Sequence, residues 1–147
     1  MPKSKDIVRS MMSKPVRTVQ ADQPLKVAVA RMTDHNIGSL VVVKGEVSVG
    51  IITERDIIRE LAREPGNSLS TPCSDLASVP LVTVGPDMDV WDAFVVMLRN
   101  KIRRLPVMND GKLVGILSER DLFKWVVRVI YEPNLPEDIA KLLSQNQ

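Results

Sequence analysis

The sequence predicts an α+β chain made of two tandem β-α-β-β-α repeats, and three observations predict it. The heptad Gly50-Ile51-Ile52-Thr53-Glu54-Arg55-Asp56 returns 65 residues later as Gly115-Ile116-Leu117-Ser118-Glu119-Arg120-Asp121. At that offset Val8–Arg63 aligns with Cys73–Arg128 without a gap, and 17 of 56 positions are identical. Each copy also switches from helical spacing to short apolar runs of strand length. The predicted organisation is a first repeat over 8–63, a linker over 64–72, a second repeat over 73–128 and a helical tail over 129–147.

Each copy opens on a short extended piece, Thr18-Val19 or Thr83-Val84, after Pro15 or Pro80. A helix follows near Pro24, since proline suits the first helical turn. Leu25, Ala28, Val29 and Met32 form its apolar face, matched by Val90, Ala93, Phe94 and Met97, with Asp87 and Asp89 near the second helix's start. The continuous run Leu40–Val43, a turn at Lys44-Gly45-Glu46 and the run Val47–Ile52 predict a hairpin whose strands are covered on both faces. The second copy carries Asp110-Gly111 between Leu105–Met108 and Leu113–Leu117, a strong hairpin signal. A second helix begins after Thr53 and after Ser118. The linker "EPGNSLSTP" is rich in turn-forming residues.

Composition narrows the function. A chain of 147 residues folds without disulfides or metals. Its single cysteine, Cys73, excludes an internal disulfide and reads as an inert packing residue. With one histidine, His35, a histidine-based metal cluster is excluded, and no segment has metal-ligand spacing. No Ser/His/Asp or Cys/His set, phosphate loop or dinucleotide fingerprint is present, so no enzyme is expected. The lack of a leader or of a long apolar span predicts a soluble, cytoplasmic chain with no membrane partner. Arg99, Lys101, Arg103, Arg104, Lys112, Arg120, Lys124 and Arg128 make the second repeat basic. Net charge is only +2, however, and aromatic residues are 3% of the chain, so a stacking platform for nucleic acid is poorly supplied.

The repeated heptad has two readings. Thr53-x-x-Asp56 and Ser118-x-x-Asp121 resemble a capping box, the hydroxyl bonding a first-turn amide and the carboxylate sitting at the positive helix end. The same atoms suit a ligand. A strand that ends at a helix start offers free amides to phosphate or ribose, and a carboxylate there accepts two hydroxyls. Only one carboxylate oxygen need serve the cap, so both readings can hold.

With these motifs in tandem, the chain resembles the CBS domain family, and the pair resembles a Bateman module. The matching stretches are "PVRTV…IGSLVVV…VGIITERDIIRELAR" and "PLVTV…IRRLPVM…LVGILSERDLFKWVVR". Pro106 falls in the family's Leu-Pro-Val strand, where the first copy departs with Val41. The resemblance implies repeats packed sheet to sheet about a pseudo-two-fold axis, with two clefts that take AMP, ADP or ATP, and less readily S-adenosylmethionine. One cleft is expected to use Thr53 and Asp56 facing Val82, Ile102, Arg103 and Arg104. The other is expected to use Ser118 and Asp121 facing Arg17, Ile37 and Gly38. The aspartates take the ribose hydroxyls. Arg103 and Arg104 stand where the first copy has Gly38-Ser39 and suit phosphate, because the guanidinium fork donates two bonds at once, and Arg120 is expected to add to the same cleft. The implied role is a regulatory, energy-sensing module whose output passes to a downstream protein that the sequence does not name. The alternatives are a structural pairing module without ligand, or nucleic-acid binding.

The last helix of the second repeat, with Leu122, Phe123, Trp125, Val126, Val127, Val129 and Ile130, needs a cover. Two covers are expected: the tail over Leu135–Leu143, or a second copy in a homodimer through the repeat helices. Trp91 and Trp125 align with Lys26 and Glu60, which predicts sites at the surface in the first repeat and covered in the second. Met11-Met12 reads as core.

Overall fold

The computed structural model describes residues 6–131 and 136–144. Seven helices run in chain order: α1 (Val8–Met11), α2 (Leu25–His35), α3 (Glu54–Arg63), α4 (Cys73–Leu76), α5 (Val90–Asn100), α6 (Glu119–Tyr131) and α7 (Glu137–Ser144). The strands are β1 (Thr18–Gln20), β2 (Ser39–Lys44), β3 (Val47–Thr53), β4 (Arg104–Asn109) and β5 (Lys112–Ser118). No helix among the described residues is long and apolar enough to cross a membrane.

The chain divides into two compact units that cross the sequence repeats. One holds 1–15, 83–110 and 114–147; the other holds 16–82 and 111–113. Thus α1, first in the chain, belongs with the second repeat, and α4 belongs with the first. The repeats over 8–63 and 73–128 follow the periodicity, and the compact units exchange the short helix that opens each repeat.

In the unit built on the first repeat, β1 runs parallel to β2 and β2 antiparallel to β3, in the order β1-β2-β3. Ser39 through Val43 are all buried, as an uninterrupted apolar strand requires. The core gathers Val19, Leu25, Ala28, Met32, Leu40, Val42, Ile52 and Cys73. Cys73 comes from α4, and burial pushes its thiol pKa up, which keeps it in the unreactive protonated form. The linker is not a free tether. The Leu25 amide bonds the Thr71 carbonyl at 2.8 Å, Pro24 bridges Pro72, and Ser68 is buried in a 3-10 turn over Ser68–Ser70.

In the unit built on the second repeat, β4 pairs with β5. The expected extended piece Thr83-Val84 shrinks to a single parallel bridge between Val84 and Val107, with bonds of 3.1 Å to the Pro106 carbonyl and 2.9 Å from the Met108 amide. Its buried residues include Val8, Val84, Val90, Ala93, Met97, Leu105, Val107, Leu117, Leu122 and Trp125.

Equivalent positions repeat local devices. The left-handed caps of α2 and α5 fall on Asn36 and Lys101, at φ 49° and 54°. The Asp110-Gly111 turn has positive φ at both residues, as a type I′ hairpin turn needs. Asp89 caps α5 by accepting from the Trp91 amide at 2.7 Å, whereas Pro24 precedes α2 with no side-chain cap.

Lys26 is exposed, as expected, and Trp91 is partly covered. Glu60 corrects the expectation: it is buried, only 3% exposed. Its carboxylate accepts from Thr71 Oγ1 at 3.0 Å and from Arg63 at 2.8–3.1 Å, so the charge enters the interior fully paired. At the equivalent site, Trp125 Nε1 donates to Asp6 Oδ2 at 2.8 Å, and Trp125 stacks obliquely near Trp91 at 6.3 Å. The first contact ties α6 to the segment leading into α1, and the second ties it to α5. Glu60→Ala leaves Thr71 without its partner and is expected to cost about 2 kcal/mol. Glu60→Gln keeps an acceptor and is expected to cost less, which thermal unfolding of the two variants checks.

The tail corrects a second expectation. Glu137 through Leu142 are exposed, and so are Phe123, Val129 and Ile130 of α6, so α7 does not cover that helix. Leu135 lies outside the described residues.

Candidate functional site

Thr53 ends β3 and opens α3 in extended backbone, which aims its hydroxyl at the first helical turn. The capping box is complete. The Asp56 amide approaches Thr53 Oγ1 at 3.5 Å, and Asp56 Oδ2 accepts from the Thr53 amide at 2.8 Å and the Thr53 hydroxyl at 2.9 Å. The second copy repeats this more tightly. Asp121 Oδ2 accepts from the Ser118 amide and hydroxyl, both at 2.8 Å, and the Asp121 amide donates to Ser118 Oγ at 3.2 Å.

In both boxes a single carboxylate oxygen takes both bonds. Oδ1 of Asp56 and of Asp121 has no hydrogen-bond partner among the described residues. Each aspartate is half-buried rather than sealed. Cap and open acceptor coexist in one side chain.

The backbone brings further residues to each box. The Glu54 amide bonds the Gly38 carbonyl at 3.2 Å, and Ser39 pairs with Thr53 across β2 and β3. This sets Ile37 and Gly38, both half-buried, beside Thr53 and Asp56. Arg17, exposed, precedes β1 and gives its carbonyl to the Val41 amide at 3.2 Å. In the other unit the Glu119 amide bonds the Arg103 carbonyl at 2.8 Å, which sets Ile102, Arg103 and Arg104 beside Ser118 and Asp121. Arg120, exposed, is the second residue of α6. Val82 is half-buried just ahead of the Val84 bridge.

Within one unit the Arg103 carbonyl thus holds the start of α6, which carries Asp121, as the Gly38 carbonyl holds the start of α3, which carries Asp56. The first-copy counterparts, Gly38 and Ser39, stand beside Asp56. The Arg103 guanidinium meets Glu119 at 3.5 Å, with both side chains more than 60% exposed. Such a pair contributes little and releases the guanidinium easily. Among the described residues no group of three potential ligands could hold a metal ion.

Two residues that sequence reasoning repeated without explaining are Gly50 and Gly115. A Cβ on Gly50 would lie 2.8 Å from the Ser78 carbonyl oxygen and 2.9 Å from Val79 Cγ1. Ile51 exchanges backbone bonds with Ser78 there, at 2.9 and 3.3 Å. Gly115 is crossed by Met12 in the same way, beside a Ser13–Ile116 bridge with bonds of 2.8 and 3.0 Å. These crossings hold β3 and β5 just ahead of the two boxes. Met11 and Met12 are only half-buried, so Met12 acts as a lid on Gly115 more than as core. The identity of the glycine in both heptads was the available signal.

The family profile of the CBS domain matches residues 7–63 and 73–128. The chain belongs to the CBS domain family. It is 36% identical to the CBS domain-containing protein YhcV of Bacillus subtilis over 115 residues, 78% of this chain and 81% of YhcV. It spans 58% and 51% of the length of two other curated relatives. The fold matches the crystal structure of the CBS-domain protein ATU1752 of Agrobacterium tumefaciens, with a TM-score of 0.75 and 28% identity over 80% of this chain and 91% of that one. It also matches the CBS domain pair of protein MJ0100, solved in complex with 5′-methylthioadenosine and S-adenosyl-L-methionine. That match has a TM-score of 0.76 and 26% identity, over 85% of this chain and 97% of that one. A tandem CBS pair is a regulatory module, and the MJ0100 pair holds adenosine-containing ligands.

Proposed function

We propose that this CBS pair is a non-catalytic, energy-sensing regulatory module that binds an adenine nucleotide (AMP, ADP or ATP) at its Ser/Thr-x-x-Asp ends. The observation that carries the reading is the open Oδ1 of Asp121 and Asp56, each on a side chain already locked by its own cap. A carboxylate oxygen held in one rotamer accepts ribose hydroxyls without further ordering cost. Arg103 and Arg104, tied to the Asp121 end, add donors for phosphate, whereas the Asp56 end has Gly38 and Ser39. The two ends therefore differ in their preference for charged ligands. In this proposal Arg17, Ile37, Gly38 and Val82 frame the adenine at the Asp56 end, and Ile102 does so at the Asp121 end.

The MJ0100 complex favours a second ligand, S-adenosylmethionine, whose adenosine satisfies the same aspartate but which carries no phosphate for the arginines. A thermal-shift screen with AMP, ATP, NADH, 5′-methylthioadenosine and S-adenosylmethionine separates the two. Ligand at 100 times its Kd is expected to stabilise by about 2.7 kcal/mol. A shift with AMP that Arg104→Ala weakens supports the nucleotide reading. A shift with S-adenosylmethionine alone replaces it, and no shift with any of the five leaves a structural module. We further infer that two copies pair through the repeat helices. Ile58 on α3 and Phe123 on α6, at equivalent positions, are each 65% exposed.

A further inference from the structure

Two helices of one unit leave apolar stripes open. On α6, Phe123 and Ile130 are 65% and 63% exposed, seven residues apart on one helical face with the half-buried Val126 and Val127 between them. On α7, Ile139 and Leu142 are 37% and 60% exposed at a spacing of three. α6 is also longer than its counterpart α3. It continues past Arg128, the position equivalent to the last residue of α3, and so carries Val129 and Ile130 beyond the family match. α7 lies wholly outside that match.

An eight-residue helix is marginal alone in water and needs a packed face. Ile139 and Leu142 of α7 are exposed, and so are Phe123, Val129 and Ile130 of α6 in the same unit. The charges at the two stripes are opposite. Exposed Arg120 and Arg128 flank the α6 stripe, and exposed Glu137 and Asp138 open α7.

We propose that α7 docks on the α6 stripe of a second copy of this chain, so that two copies exchange tails. The contact is isologous: each copy gives one α7 and receives one on its α6, closing a two-fold dimer. The proposal rests on the pairing of copies inferred above and assigns that pairing to a surface the repeats alone do not supply.

The test measures mass by light scattering for three full-length proteins: wild type, the tail variant Ile139→Asp/Leu142→Asp, and the stripe variant Phe123→Asp/Ile130→Asp. All four substituted positions are solvent-exposed, so both variants are expected to fold. Wild type should show twice the 16.4 kDa chain mass. Each variant should dissociate at least about a hundredfold more readily, since two apolar side chains leave each of two contacts. Mixing the variants is decisive. A tail variant with an intact stripe and a stripe variant with an intact tail should recover a dimer through one remaining contact, at intermediate affinity. A tail variant as dimeric as wild type overturns tail exchange and leaves pairing through the repeat helices standing. A monomeric wild type overturns both. If wild type is monomeric and the tail variant melts earlier, α7 docks on its own chain.

Discussion

Asp121→Asn is expected to weaken AMP binding by at least about a hundredfold while leaving the fold nearly as stable as wild type. The two oxygens of one carboxylate divide the labour. Oδ2 accepts from the amide and the hydroxyl of Ser118, and Oδ1 has no partner among the described residues. Asparagine can turn its carbonyl oxygen toward Ser118 and preserve the cap, but it then presents an amide donor where the ligand needs an acceptor. Two hydrogen bonds from ribose to a charged acceptor contribute about 1.5–3 kcal/mol each, which sets the hundredfold floor. Asp121→Ala removes cap and acceptor together, so it should lose binding and about 1 kcal/mol of stability as well. Ser118→Ala isolates the cap: stability should fall with AMP affinity less affected. Calorimetric titration of AMP, paired with thermal unfolding of each variant, distinguishes these effects. An Asp121→Asn protein that binds AMP like wild type would sink the ribose assignment. Asp56→Asn should affect the other end, where Gly38 and Ser39 stand in place of Arg103 and Arg104, and its loss should depend less on the ligand's phosphates.

Gly50→Ala is expected to destabilise the chain by about 3 kcal/mol, and Gly115→Ala by clearly less. At Gly50 the added methyl meets a backbone carbonyl oxygen, that of Ser78, which is itself bonded to Ile51 and has no rotamer to give. At Gly115 the methyl meets the side chain of Met12, whose thioether can turn away. At this chain length 1 kcal/mol moves the melting temperature by about 3 °C, so the pair should separate visibly in a thermal scan. Equal losses at the two positions would show that the crossing segments yield alike, contrary to the contacts described.

Local features were legible where their partners lie within a few residues. The capping boxes involve residues three apart, and the Asp110-Gly111 turn follows from its two residues and the runs beside them. Both helix faces followed from spacing, since Leu25, Ala28 and Met32 are buried together as are Val90, Ala93 and Met97. Glu60 failed because its charge was read against a helix surface, while its partner Thr71 sits eleven residues on, in a segment that read as a free linker. Thr83-Val84 holds as one bridge from Val84 to Val107, since a short extended piece carries too little pattern to tell a strand from a bridge.

The sequence by itself determined two copies of one unit, their register, the hydroxyl and carboxylate that end each third strand, and the arginine pair present in one copy only. All of these are written in residue identity and spacing along the chain. Only the tertiary structure decided that α1 and α4 change places between the compact units, that glycines 50 and 115 make room for the crossing segments, and that the Arg103 carbonyl holds the start of α6. The physical reason is that these depend on contacts between residues far apart in sequence. Periodicity reports which face an element buries, but what covers that face is chosen by packing, which the chain acquires only when it folds.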